Sequence, residues 1–141
     1  MRLWHYKLIP VLPKEMLVSQ WRECIAIKRQ WEKGTLKHRL VSYVMKYEPE
    51  CFISYVYWVR KEMIDRGIKC QKKYYDEIES MATFGRLTIF NLFDYKQYKE
   101  HNDRYFAQCY YNLEEKHDRG IISDEEWQPI EELWCDYIIG D

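Results

Sequence analysis

Apolar residues in this chain recur at three- and four-residue intervals between proline and glycine stops. That spacing constrains the fold more than any other feature, because it gathers apolar side chains on one face of a helix, whereas a half-buried strand needs a period of two. After Pro13, suited to a first helical turn, Met16, Leu17, Trp21, Cys24 and Ile25 repeat in this way until Gly34. The opposite face carries Ser19, Arg22, Glu23, Ala26 and Gln30, with Glu23 near the boundary of the apolar stripe. A shorter helical stretch is expected from about Lys37 to Lys46. Pro49 opens another helix, with Phe52, Tyr55, Val56, Val59 and Met63 on one face and Gly67 as its stop.

From residue 68 to 93 the pattern weakens. Met81 to Phe90 has some β-branched and aromatic character but no strict alternation, and it reads as a loop packed on the core. A long helix is expected from about Asp94 to His117, closed by Gly120. Ser123-Asp124-Glu125-Glu126 has the form of a capping box before a last helix through Trp134 to Ile138, with Pro129 as a kink. The expectation is an all-α fold, a single compact multi-helix domain over residues 1–141, with no repeat or low-complexity linker to divide it.

Hydrophobic residues at 47% and charged residues at 32% give a globular balance with no run long enough to span a membrane. Met1 to His5 is followed by Pro10, Pro13 and charges rather than an apolar signal region, which argues for the cytoplasm. Cys24, Cys51, Cys70, Cys109 and Cys135 are odd in number and form no C-x-x-C pair, so they read as buried small hydrophobes. No metal site is expected: the nearest thing to one, His101-Asn102-Asp103, spreads its side chains over different faces of a helix.

The net charge of −1 hides a polarity. Residues 1 to 46 hold ten Lys or Arg against three Glu, while no basic residue follows Arg119. A basic third of this kind can track phosphates. Signatures of serine hydrolases, P-loop proteins, dinucleotide-binding folds, zinc proteases and zinc deaminases are absent from the sequence. What stands out instead is Trp21-Arg22-Glu23 on the helix that follows an organised N terminus.

Gln20-Trp21-Arg22-Glu23, after an opening Met1-Arg2-Leu3-Trp4-His5 and Lys7-Leu8-Ile9-Pro10, resembles the phage-type endonuclease V family of pyrimidine-dimer DNA glycosylases. The likeness is greatest to a bacterial branch and is concentrated in about the first 45 residues, including His38 to Val44. The resemblance implies a cofactor-free reaction on damaged double-stranded DNA. An N-terminal amine attacks the sugar of a damaged nucleotide, displaces the base and forms a Schiff base, and β-elimination then cuts the strand. An unperturbed α-amine, with a pKa of roughly 7.7–8.0, keeps a useful neutral fraction near pH 7, where a lysine at about 10.4 is protonated.

By the same resemblance Met1 and Glu23 are the catalytic residues, Glu23 stabilising positive charge on the sugar and moving protons. Arg2 and Arg22 are expected on phosphates, and Lys28, Arg29, Lys33, Lys37 and Arg39 join them from charge alone. Two departures are visible. Arg2 is too bulky for methionine removal, so the amine is that of Met1 itself. Met16 stands in the region where the family has a histidine, which leaves His5 or His38 as accessory candidates. The lesion implied is a cyclobutane pyrimidine dimer, with oxidised or alkylated bases and abasic sites as alternatives. Two non-enzymatic readings use the same chain: a nucleic-acid-binding helical domain, and a protein-interaction module built on the acidic segment Asp124 to Asp141.

Overall fold

A computed structural model describes residues 1–83 and 98–140. The described residues form an all-α fold without a strand. Five α-helices are present among them: α1 (Lys14–Lys33), α2 (Pro49–Asp65), α3 (Lys72–Glu79), α4 (Asp103–Asp118) and α5 (Asp124–Ile139), with short 3-10 helices at Tyr6–Val11 and Ser42–Lys46.

The local stops act as the sequence predicts. Gly34 ends α1 in the left-handed region at φ 71, where a β-carbon would be strained. Its N–H returns to the Trp31 carbonyl, and that of Thr35 to Gln30. Pro49 sits in the first turn of α2, and Ser123 and Glu126 exchange side-chain-to-backbone bonds of 3.1 and 3.0 Å in a complete capping box. Pro129 lies inside α5.

Helix α2 is the central element. Its expected apolar face is buried, and so are Glu50, Ile53 and Ser54, because α1, α3 and both 3-10 helices pack around it. Helices α4 and α5 pair with each other, and α5 returns to the first 3-10 helix. One buried core results, drawing on Leu3 and Leu8 from the N-terminal segment, Leu17 and Ile27 from α1, Phe52 from α2 and Ile130 from α5.

Several expectations need correction. The stretch from Lys37 to Lys46 is helical only from Ser42, as a 3-10 turn, since the buried residues there are Val41 and Val44 at a three-residue spacing. Helix α3 was not foreseen: only Tyr75 and Ile78 of its eight residues are buried, too few for a clear period. Helix α4, expected to run to His117, begins at Asp103, with Asn102 as its cap accepting from the Tyr105 N–H at 2.9 Å. His101 therefore precedes the helix and is buried, rather than sharing a helical turn with Asn102 and Asp103. Cys24 and Cys109 are buried as expected, but Cys51 and Cys70 are half-buried and Cys135 is exposed. Most of the loop expected at Met81 to Phe90, and the expected helix start at Asp94, lie outside the described residues.

Candidate active site

The first five residues are threaded across the molecule and pinned by side chains from three helices. Leu3 and Trp4 are buried and supply the apolar contacts. The polar backbone they carry inside must be paired, since a buried unpaired group costs about 1–3 kcal/mol. Gln20 of α1 does most of this. Its Oε1 accepts from the Trp4 N–H at 2.8 Å, and its Nε2 donates to the Arg2 carbonyl at 2.9 Å. Tyr55 of α2 donates to the Trp4 carbonyl at 2.7 Å and lies 3.0 Å from Gln20 Oε1. Tyr105 of α4 donates to the Leu3 carbonyl at 2.6 Å. Burial pushes both phenols up from their ordinary value, so they remain protonated donors.

The same Gln20 amide also donates to Glu23 Oε2 at 3.3 Å. One nitrogen thus touches the backbone next to Met1 and the carboxylate of Glu23. Glu23 is half-buried, one helical turn beyond Gln20, and Met1, the residue before Arg2, is 37% exposed. A carboxylate tied through Gln20 to the backbone that follows the N-terminal amine is an element that proton transfer at that amine can use.

The other predicted residues fall into separate groups. Arg2 is half-buried, its guanidinium 5.3 Å from the Trp4 ring centroid. Arg22 is exposed, immediately beside Glu23. Lys28 is only 6% exposed, with its ammonium 2.8 Å from Glu32 and 3.9 Å from Glu77, and Arg29 reaches Glu77 at 3.2 Å. Lys28 is thus committed inside the protein, while Arg29, paired with Glu77, remains exposed. Lys33, Lys37 and Arg39 are exposed, with no ion pair among the described residues, at and beyond the end of α1.

His5 is 2% exposed and has both ring nitrogens engaged. Nδ1 accepts from the Lys7 N–H at 3.2 Å, capping the first 3-10 helix, so Nε2 carries the proton and donates to the His101 carbonyl at 2.9 Å. Burial above all lowers its pKa to about 4. A neutral ring so engaged holds structure and has no nitrogen left for proton transfer. His38 is exposed, and its Nδ1 accepts from the Leu40 N–H at 3.3 Å, with no bond to the N-terminal corner among the described residues.

Gln20, Tyr55 and Tyr105 were not among the residues expected at the site. Gln20 carried a signal, as a polar residue on the apolar stripe of Leu17, Trp21 and Cys24. The two tyrosines carried none that separates them from eleven others.

A family model for pyrimidine dimer DNA glycosylases matches residues 1–76, which include Met1, Gln20, Glu23 and Tyr55. No curated protein and no solved structure matches the chain. With more than half of the sequence covered, and the N-terminal corner wholly inside the match except for Tyr105, the protein belongs to the pyrimidine dimer DNA glycosylase family.

Proposed function

We propose that this chain excises damaged bases, cyclobutane pyrimidine dimers foremost, and then cuts the strand, with the Met1 amine as nucleophile and Glu23 as the catalytic carboxylate. The neutral amine adds to C1′ of the damaged nucleotide, the bond from C1′ to the base breaks, and the base leaves with the electron pair. Loss of the amine proton and opening of the sugar ring give an imine between Met1 and C1′. The Glu23 carboxylate then removes a C2′ proton, the 3′ phosphate is expelled by β-elimination, and water releases the sugar.

The observation that carries this reading is the Gln20 amide shared between the Arg2 carbonyl and Glu23, because it ties the carboxylate to the backbone that bears the amine. Arg22, beside Glu23, and the exposed Lys33, Lys37 and Arg39 supply phosphate contacts. Residues 1–141 act as one domain, a reading supported by a core shared between Leu3 and Ile130. Action on DNA supports reading the protein as cytoplasmic; among the described residues no helix is long and apolar enough to cross a membrane.

Borohydride trapping of the tag-free protein tests the mechanism, on an abasic-site duplex and on a dimer-containing duplex. The expected result is an adduct at Met1 on both, lost when the N terminus is blocked. Glu23→Gln is expected to bind both duplexes but leave the strand uncut. An adduct on the abasic duplex alone reduces the activity to a lyase, and binding with no adduct on either leaves a non-catalytic DNA-binding domain.

A further inference from the structure

On the far side of Arg22 from the catalytic corner, α1 borders a groove of about 440 Å³ whose opposite wall is the connection between α2 and α3. Gly67, at φ 74, turns the chain out of α2, and the Ile68 N–H closes that turn on the Met63 carbonyl at 2.8 Å. Lys69, Cys70 and Gln71 are thereby laid along the groove, facing Val18, Arg22, Ile25 and Arg29, which recur on one stripe of α1. Glu23 is one residue, roughly 100°, around the helix from this stripe.

Among the described residues three cations and no carboxylate line the groove. Arg29 is neutralised by Glu77, whereas Arg22 and Lys69 are exposed and have no ion pair among the described residues. They stand on opposite walls. The rest of the lining includes apolar and aromatic side chains, Ile25, Met63, Trp21 and Tyr74, alongside Gln71. A sugar-phosphate chain has a matching make-up, anionic phosphates joined by weakly polar sugars.

We propose that this groove holds the DNA backbone as it leaves the catalytic corner, with Lys69 and Arg22 gripping its phosphates from the two walls. The proposal rests on the DNA-directed reading above and makes the α2–α3 connection part of the binding surface. Lys69 lies outside the basic first third of the chain, where charge alone places the contacts.

The test is equilibrium binding of a duplex carrying a tetrahydrofuran abasic analogue, which cannot form an imine, between 50 and 200 mM salt. Each phosphate contact adds about 0.9 to the slope of log affinity against log salt, so Lys69→Ala is expected to lower it by about 1, and Arg22→Ala with Lys69→Ala by about 2. Lys69→Arg should restore the slope. Lys61→Ala, on the far side of α2 from Met63, should leave it unchanged. An unchanged slope for Lys69→Ala, or an equal loss for Lys61→Ala, overturns the proposal. Trapping of the wild-type protein on a natural abasic duplex, run in parallel, separates the two readings. A Lys69-dependent slope without an adduct keeps the groove and sinks the enzyme, an adduct without that dependence does the reverse, and no DNA binding removes both.

Discussion

Gln20 uses nearly all its hydrogen-bonding capacity on one corner: two acceptor contacts from Trp4 and Tyr55, and two donated bonds to Arg2 and Glu23. Gln20→Ala leaves the Trp4 N–H and the Arg2 carbonyl without these partners, at a cost of about 2 kcal/mol in urea unfolding. It also frees Glu23 from the N-terminal backbone. The single-turnover rate of adduct formation at saturating DNA should therefore fall while duplex affinity holds, and an unchanged rate would make Gln20 a stability residue only. Glu23 could be singled out in the sequence because a local motif, Gln20-Trp21-Arg22-Glu23, carries it. Gln20, which joins Glu23 to the Arg2 carbonyl, was visible only as a polar residue out of place on an apolar stripe; Tyr55, its partner 35 residues away, and Tyr105, which holds the Leu3 carbonyl from 102 residues away, have nothing in the sequence that distinguishes them from packing aromatics.

Among the helices, α1, α2 and α5 were readable because their ends are marked by residues acting within a few positions, Pro13 and Gly34, Pro49 and Gly67, Ser123 and Glu126. Helix α3 and the 3-10 helices bury too few residues to leave a period, and tertiary contacts hold them. Arg66, just past the end of α2, illustrates such a contact. Its guanidinium donates to the Leu12 carbonyl at 2.7 Å, to Pro10 at 3.0 Å and to Ile9 at 3.4 Å, while Glu62 accepts from its Nε at 2.8 Å. These carbonyls end the first 3-10 helix and lead into α1, so Arg66 sets the N-terminal segment against α2. Arg66→Met keeps much of the aliphatic stem but loses the charged donors, and should destabilise the fold by about 2–3 kcal/mol in urea. A loss below about 0.5 kcal/mol would mean that apolar packing alone seats this segment.

At the scale of the molecule, the N-terminal segment and the stretch before α4 meet through two buried histidines. Burial, and then the charge on Lys7, hold the His5 pKa at about 4 against the favourable bond to the His101 carbonyl. Burial, with His5 beside it, holds His101 at about 3. Both lie below the ordinary 6.5, so as the pH falls under 6.5 the unfolded chain takes up protons that the folded chain refuses. Stability is full above that value and declines toward pH 4. The urea midpoint should drop between pH 7 and pH 5, and His101→Phe, which keeps a ring without a titrating nitrogen, should flatten the decline, whereas a flat wild-type profile would contradict neutral histidines in the fold. The bonds that fix residues 3 and 5 reach partners 102 and 96 positions further along the chain. During synthesis the opening residues therefore leave the ribosome long before the side chains that dock them exist. Residues 3 and 5 are thus made well before the groups that hold them, and their segment takes its place only once Tyr105 has been translated.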